Sequence, residues 1–238
     1  MAVDTVLILA GGDASSPDTA ADLPRADLVV AADAGYDAAL TLGLPVDVLI
    51  GDMDSIEATE IPRHVIVERH PPDKDATDLE LALELVARDS PSRVVVLGGS
   101  GGRLDHELAV ATLLCSPRWA AIDEIDWRSD RGWAHVVRGR RVLHGDVGVT
   151  VSLLPVGGDA YGVTTTGLKW NLKDEDLHTG TTRGVSNVMM APVTDVRLRG
   201  GALLVVFPDA EDGTSRPDHP GPLDRGWGKP RDTPPAPS

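Results

Sequence analysis

The chain has 238 residues, of which 42% are hydrophobic, and its formal net charge is −15. This length and apolar content are typical of one large soluble globular domain or two small ones, and no apolar run reaches the roughly 18 residues of a membrane helix. The acidic balance argues against a nucleic-acid or anionic-membrane partner, because such surfaces reward basic patches.

The first half alternates strand-like and helix-like segments. Short runs rich in β-branched residues and leucine predict strands at 5–9, 28–32, 48–50, 65–68 and 93–97. Amphipathic stretches predict helices at 35–42, 77–87 and 105–114, and Thr77-Asp78-Leu79-Glu80 forms a capping box at the start of the second helix. This alternation indicates an α/β domain with a mainly parallel sheet, covered on both faces.

After about residue 116 the strand-like runs lack intervening helices. They lie at 133–138, 141–143, 149–154, 162–166 and 203–207, separated by Gly, Pro or Asp. This pattern predicts an all-β C-terminal sandwich domain. We therefore expect an α/β nucleotide-binding domain over residues 1–122 and a β-sandwich domain over 123–208. Residues 209–238, rich in Pro and Gly, are expected to form a mobile tail.

The location of the protein is predicted from two simple features. Cys115 is the only cysteine, so no internal disulfide can form. Residues 1–10 lack the basic segment of a signal peptide. Both features predict a cytoplasmic protein, in which Cys115 fills core space on an apolar helix.

Four acidic or glycine-rich segments follow predicted strands of the first half, at 31–35, 51–55, 74–78 and 98–106. The carboxyl ends of parallel strands meet at one edge of a sheet, and ligands bind where the strand order reverses. We therefore expect these four segments to lie close together in the folded protein.

Asp52 and Asp54 form an Asp-x-Asp pair at a strand exit. In an extended backbone both carboxylates would point to one side, and a cation between them would offset their repulsion. Magnesium suits such a site, because it binds a few carboxylates together with water and phosphate oxygens. The alternative is a β-turn built by the aspartates and Ser55.

The segment around Lys74 is densely acidic, with Asp73, Asp75 and Asp78 nearby. Asp78 follows the Thr77 cap, so its carboxylate can complement the helix dipole. The cluster is denser than capping requires, and Lys74 suits a point charge aimed at a phosphate. A solvated surface turn is the alternative.

The fourth segment carries four glycines between a strand and a helix. Glycines allow backbone amides to approach phosphates, and the helix N-terminus favours anions. Arg103 would then clamp phosphate oxygens. The pattern is neither a Walker A loop nor a dinucleotide motif, and the alternative is a flexible turn with Asp105 as N-cap and His106 as a helix-start residue.

The second half contains a candidate stacking surface, Trp170, between Lys169 and Asn171. A flat indole face attracts aromatic or cationic ligands, and Ser186 and Asn187 offer hydrogen bonds to a heteroaromatic edge. The alternative is a half-buried Trp and a polar turn. The remaining histidines lack the spacing of a zinc site.

In order and spacing, these segments resemble the thiamine pyrophosphokinase family over residues 31–207. Family members look like Asp-Gly-Gly, Gly-Asp-Phe-Asp-Ser, Asp-x-Thr-Asp, Gly-Gly-Arg-x-Asp-His, a leucine-proline-rich strand and Thr-x-Gly-Leu-Lys-Trp/Tyr. The corresponding segments of this chain are Asp33-Ala34-Gly35, 51–55, 75–78, 101–106, 152–155 and 166–170.

The resemblance implies a magnesium- and ATP-dependent enzyme, active as a homodimer with its sites between subunits. It implies that magnesium is held by Asp52, Asp54 and Asp78. The nucleotide would contact Lys74, Asp75, Thr77, Gly101, Gly102, Arg103 and Asp105. Trp170 would stack on thiamine, with Ser186 and Asn187 near its pyrimidine, from the partner subunit.

The reaction we expect is an in-line attack of the thiamine hydroxyl on the β-phosphorus of ATP, with AMP as leaving group. Either Asp105 or Asp33 would accept the hydroxyl proton, which completes a catalytic set with Asp54 and Asp78. The alternatives are a pyrophosphokinase for another hydroxymethyl heterocycle, such as a pterin, and a non-catalytic thiamine or nucleotide sensor.

Three positions depart from the family pattern. Ala34 replaces a glycine after Asp33, which is expected to restrict backbone approach. Met53 replaces a phenylalanine of similar volume. Val188 follows Asn187 where a polar residue is common, which bears on the contacts with thiamine.

Overall fold

The computed structural model describes residues 3–12 and 23–208. The predicted mobile tail at 209–238 lies outside the described residues. Within the described residues, no helix combines the length and apolar composition needed to span a membrane.

The first half forms a parallel sheet flanked by helices. Its strands are β1 (Thr5–Leu9), β2 (Leu28–Ala32), β3 (Val48–Gly51), β4 (Ile66–Arg69), β5 (Arg93–Leu97) and β6 (Glu124–Ser129). They are arranged in the order β4-β3-β2-β1-β5-β6, and every neighbouring pair is parallel. The helices are α1 (Gly35–Leu42), α2 (Asp78–Ala87) and α3 (Leu104–Leu114).

The helices cover both faces of this sheet. Ile8 of β1 packs in one apolar cluster with Leu83 of α2 and Leu114 of α3, whereas Leu9 packs in another with Tyr36 of α1. Neighbouring residues of a strand point to opposite faces, so β1 contributes to both clusters. The predicted α/β architecture is confirmed.

The second half extends this sheet and adds another. Its strands are β7 (Gly132–Val137), β8 (Arg140–His144), β9 (Thr150–Pro155), β10 (Ala160–Thr166), β11 (Glu175–Leu177), β12 (Asn187–Val188), β13 (Val193–Arg197) and β14 (Leu203–Pro208). β7, β14, β9 and β12 continue the first sheet beyond β6 in antiparallel fashion, and the second sheet has the order β11-β10-β13-β8.

These two antiparallel layers pack face to face. Val151 and Val205 of the long sheet share an apolar cluster with Val163 and Val196 of the short one. The predicted all-β sandwich is confirmed. The long sheet itself continues across residues 122–123, and the domain boundary that the sequence suggests there stays a prediction.

A buried ionic cluster joins the two sheets. Asp126 of β6 is completely buried, and its carboxylate lies 2.6 Å from Arg93 Nη2, 2.7 Å from His135 Nδ1 and 2.7 Å from Arg141 Nη2. Burial alone would raise the pKa of Asp126, but His135 and the two guanidiniums outweigh it and hold this pKa well below the usual range. Because Arg141 belongs to β8, the cluster connects the parallel sheet to the sandwich.

Candidate active site

The strand order of the parallel sheet reverses at β1, which lies between β2 and β5. The loops after β1 and β5 contact each other, since Gly99 donates its N–H to the Gly11 carbonyl at 2.8 Å. A Cβ on Gly12 would lie 2.4 Å from the Ser100 carbonyl oxygen, so this close contact requires glycine. Sequence reasoning missed the Gly11-Gly12 turn, although two glycines directly after a strand are a usable signal.

Three carboxylates meet beside this switch point. Asp33 follows β2, and Asp52 and Asp54 follow β3; one oxygen from each lies within 4.8 Å of the others. The expected extended geometry of the Asp-x-Asp pair is wrong, because Met53 has φ of 68° and Asp54 N–H donates to Asp52 Oδ1 at 3.2 Å. The backbone therefore bends at Met53, and this bend brings the carboxylates together, whereas the β-turn considered as the alternative stays a prediction.

Asp33 has an unusual environment. Its φ of 45° is uncommon for a residue with a side chain, and its Oδ1 is buried without a hydrogen-bond partner among the described residues. Burial, reinforced by the Asp78 and Asp52 carboxylates, raises the pKa of Asp33 above its ordinary value. Asp33 Oδ1 is thus able to accept a proton or to bind a cation.

Lys74 connects Asp52 to Asp78. Its Nζ lies 3.0 Å from Asp52 Oδ2 and 3.1 Å from Asp78 Oδ1. The hydrogen bond from Lys74, together with the Asp54 N–H, lowers the pKa of Asp52. Burial alone would lower the pKa of Lys74, but its bonds to Asp52 and Asp78 raise it above the ordinary value.

Gly51 allows these acids to approach one another. Its φ is 145°, and a Cβ there would lie 3.0 Å from Asp78 Oδ1 and 3.1 Å from Asp33 Cβ. Asp78 itself begins α2, whose Thr77 side chain accepts the Glu80 N–H at 3.2 Å, as the capping box predicts. The end of β3 and the start of α2 therefore meet at Gly51.

The glycine-rich loop after β5 presents a different pair of charges. Arg103 binds both oxygens of Asp105, with Nη2 2.6 Å from Oδ2 and Nε 3.1 Å from Oδ1, and both side chains are exposed. This pairing with Arg103 lowers the pKa of Asp105. The alternative in which Asp105 caps the helix is wrong, because α3 begins one residue earlier and Arg103 occupies the N-cap position.

The remaining residues expected at the nucleotide lie in the same loops. Gly101 and Gly102 have φ of 75° and 58°, a left-handed backbone that favours glycine. Asp75 is exposed in the loop before α2. Ala34 has an ordinary helical backbone, with φ of −55° and ψ of −13°, so the conformation at this position does not require the family's glycine.

Trp170 lies in the sandwich and is 56% exposed, so part of its indole is open to solvent, and both the stacking role and the half-buried alternative stay predictions. Lys169 Nζ lies 4.5 Å from the centroid of its ring. The buried Asn187 binds the backbone of Trp170 from both directions, accepting its N–H at 3.1 Å and donating to its carbonyl at 2.9 Å. Ser186 is exposed, with φ of 58°, and its N–H donates to Ser152 Oγ at 3.1 Å.

The indole and the acidic cluster are far apart along the sheet of one chain. Trp170 is bound to Asn187 of β12, at one end of the long sheet, whereas Asp52 follows β3 near the other end. Eight strand spacings of about 4.8 Å, roughly 38 Å in all, lie between β12 and β3.

The acidic residues fit a magnesium ion. This hard cation takes oxygen ligands, usually a few carboxylates with water and phosphate oxygens. Asp33, Asp52 and Asp54 supply only carboxylate oxygens, and among the described residues the buried Asp33 Oδ1 has no hydrogen-bond partner.

Two sequence models match the chain. The model described as thiamin pyrophosphokinase, catalytic domain, matches residues 21–123, and the model described as thiamin pyrophosphokinase, vitamin B1 binding domain, matches residues 138–202. The chain belongs to the thiamine pyrophosphokinase family. The first match contains every acidic residue of the cluster, and the second contains Trp170 and Asn187.

Individual members of the thiamine pyrophosphokinase family support this assignment. Thiamine pyrophosphokinase 1 of rice, Oryza sativa subsp. japonica, is 29% identical over 162 residues, which is 60% of this chain and 59% of the relative. Thiamine pyrophosphokinase of Bacillus subtilis (strain 168) is 28% identical over 214 residues, which is 85% of this chain and 97% of the relative. The match to rice thiamine pyrophosphokinase 3 spans 64% of that relative's length.

A solved structure shares the fold. The crystal structure of thiamine pyrophosphokinase from Bacillus subtilis superposes with a TM-score of 0.74 at 25% identity, over 86% of this chain and 99% of that one. The similarity therefore covers both the α/β layer and the sandwich.

Proposed function

We propose that this protein transfers a pyrophosphoryl group from ATP to the hydroxyl of thiamine, giving thiamine diphosphate and AMP. The observation that carries the proposal is the convergence of Asp33, Asp52 and Asp54 beside glycine-rich loops at the switch point of a parallel sheet. Such an edge is where α/β sheets bind phosphorylated ligands. The names of the relatives supply the acceptor, thiamine.

The acidic residues would hold magnesium. We assign Asp52, Asp54 and Asp78 as its ligands; Asp33 lies in one cluster with Asp52 and Asp54, and Asp78 reaches this cluster through the shared contact of Lys74 with Asp52. When bound, magnesium offsets the charge of the phosphates and orients them for in-line displacement. The glycine-rich loop before α3, with Arg103, would bind phosphate oxygens through backbone N–H groups and the guanidinium.

The reaction needs one proton acceptor. The thiamine hydroxyl oxygen forms a bond to the β-phosphorus, the bond from that phosphorus to the α–β bridging oxygen breaks, and AMP carries away its electrons. Asp105 is the weaker candidate for the proton, because both of its oxygens bind Arg103 and its pKa is lowered. Asp33 has a free buried oxygen and a raised pKa, so we assign the proton to Asp33.

We further propose a cytoplasmic homodimer in which each site is built from two subunits. The separation of roughly 38 Å between β12 and β3 along one sheet supports this arrangement, because Trp170 of one chain would then stack on thiamine held at the acidic cluster of the other. Exposed apolar side chains near Trp170, at Val185 and Met190, offer a surface for such a contact.

The reaction is tested by incubating the purified protein with thiamine, ATP and magnesium, and separating products by chromatography with mass spectrometry. Thiamine diphosphate and AMP in equal amounts, lost on chelation, are expected. ADP with thiamine monophosphate would overturn the pyrophosphoryl transfer. A pterin competing better than thiamine would favour the other heterocycle, and binding without turnover would favour a sensor.

The shared site is tested by co-expressing Asp54→Asn and Trp170→Ala subunits, which are each expected to be inactive or weak alone. In a randomly mixed population about a quarter of the sites combine an intact acidic cluster with an intact indole, so about a quarter of the activity should return. Activity no greater than the average of the two variants would refute a site shared between subunits.

A further inference from the structure

Two of the proposed metal ligands already hold a cation of this chain. The Lys74 ammonium lies within 3.1 Å of both Asp52 Oδ2 and Asp78 Oδ1. The three side chains are only 14%, 13% and 23% exposed, so water screens this contact weakly. The ammonium therefore offsets part of the negative charge on Asp52 and Asp78 that would attract a divalent ion.

Asp52 cannot serve both cations independently. Its Oδ1 accepts the Asp54 N–H at 3.2 Å, and its Oδ2 accepts Lys74 at 3.0 Å. A divalent ion that used Asp52 and Asp78 would lie against the same two carboxylates that contact Lys74. Like charges brought into one small acidic site repel each other, so each cation weakens the binding of the other.

Lys74 is able to move away without disturbing the helix. It precedes α2 by four residues, and α2 is capped separately by Thr77. A lysine ammonium sits on a flexible four-carbon stem, so it can change partner while its backbone stays in place. Within the proposed site, the phosphates of the nucleotide would offer the ammonium new negative partners.

We propose that Lys74 is an internal competitor of the divalent cation, displaced from Asp52 and Asp78 when the cation binds and transferred to the nucleotide phosphates. The transfer rests on the proposed reaction, whereas the competition rests only on the proposed metal ligands Asp52 and Asp78. Metal would then bind weakly to the free protein and tightly together with the nucleotide. Binding of the divalent cation and binding of the nucleotide would thus be coupled through the Lys74 side chain.

The competition is tested by titrating the full-length protein with Mn²⁺, without nucleotide or thiamine, and measuring free Mn²⁺ by electron paramagnetic resonance. Lys74→Gln should bind Mn²⁺ at least about fivefold more tightly than the wild type. Fivefold is the lower end of the change in affinity that one bound group typically causes in another. Lys173→Gln, an exposed lysine of the sandwich, is the matched control for a general change of charge. Equal or weaker binding by Lys74→Gln would overturn the competition.

Folding of the variant is checked separately. Lys74→Gln leaves the Asp52 and Asp78 carboxylates facing each other without a cation. In the presence of chelator its thermal unfolding midpoint should therefore be lower than that of the wild type. Addition of Mn²⁺ should raise the midpoint of the variant more than that of the wild type. Lys74→Arg retains the charge and should keep wild-type Mn²⁺ affinity. Tight binding by Lys74→Arg would overturn the proposal, since the effect would then not follow the charge.

The transfer is tested by repeating the titration with a non-hydrolysable ATP analogue. Lys74→Gln should now bind the metal–nucleotide complex more weakly than the wild type, reversing the order found without nucleotide. An equal or higher affinity would overturn transfer of Lys74 to the phosphates. Both titrations are independent of turnover, so failure of the proposed reaction would be seen separately.

Discussion

Asn187 is expected to support thiamine binding through Trp170 rather than by contact with the ligand. Its Oδ1 accepts the N–H groups of Trp170 at 3.1 Å and Val188 at 2.9 Å, and its Nδ2 donates to the Trp170 carbonyl at 2.9 Å. The side chain is also buried, so its amide has little capacity left for a substrate. This differs from the direct contact with the pyrimidine that the family resemblance implies.

The perturbation is Asn187→Ala. A buried group left without its partner costs about 1–3 kcal/mol. Trp170 is half exposed, so water partly replaces the lost bonds, and we expect the free energy of unfolding to fall by about 1–2 kcal/mol. Asn187→Ala should weaken thiamine binding by no more than the loss of the indole itself would. A contact between an indole and a cationic ring is worth about 2 kcal/mol, or about thirtyfold in affinity.

The assay is a double-mutant cycle. Thiamine affinity is measured by calorimetry for the wild type, Asn187→Ala, Trp170→Ala and the double variant, at a temperature where urea unfolding shows that all are folded. If Asn187 acts through Trp170, the double variant binds no worse than Trp170→Ala. Asn171→Ala is the matched control, since this exposed amide accepts the Leu168 N–H in the same turn. Additive losses, or a larger loss from Asn187→Ala than from Trp170→Ala, would refute the reasoning.

Two further predictions concern carboxylates. Asp54→Asn should abolish product formation with the thermal midpoint nearly unchanged, because Asp54 is exposed and its proposed role is to hold the cation; an active variant would contradict the metal assignment. Asp126→Asn should lower the free energy of unfolding by about 3 kcal/mol at pH 7, because it removes the buried anion that Arg93 and Arg141 bind, while Glu124 still pairs with both. The pKa of Asp126 is depressed on folding, so this advantage of the wild type is complete above the ordinary carboxyl value of 3.8 and should shrink as pH falls below it. Urea unfolding between pH 7 and the acid limit of folding measures this, and a difference that stays constant below that value would count against the role of the charge.

Local sequence signals were sufficient for most elements of the first half. The bounds predicted for β1, β2, β5 and α1 agree with the structure, since apolar runs ended by Gly, Pro or Asp are local features. β6 was missed because Glu124, Asp126 and Arg128 interrupt its apolar pattern. Asp126 is tolerated inside the protein only through partners on β5, β7 and β8, which no local pattern reveals.

The candidate site also has a predictable part and an unpredictable part. The position of its loops was predictable, because parallel strands bring their carboxyl ends to one edge whatever their separation in the chain. The hydrogen-bond and ion-pair partners within those loops were not predictable. The pairing of Lys74 with Asp52 joins residues 22 positions apart, and the amide of Asn187 binds a backbone 17 positions away.

The sequence by itself therefore determined which functional groups the protein has, namely the acidic and glycine-rich loops, the capped helix and the indole. It also determined which family the chain resembles. Only the tertiary structure decided how that chemistry is distributed. It placed Asp33 with Asp52 and Asp54, occupied Asp52 and Asp78 with Lys74, and set Trp170 far along the sheet from all of them. The physical reason is that hydrogen bonds and ion pairs depend on distances of a few ångströms, which packing of the whole chain sets, whereas strand and helix patterns depend on neighbours in sequence.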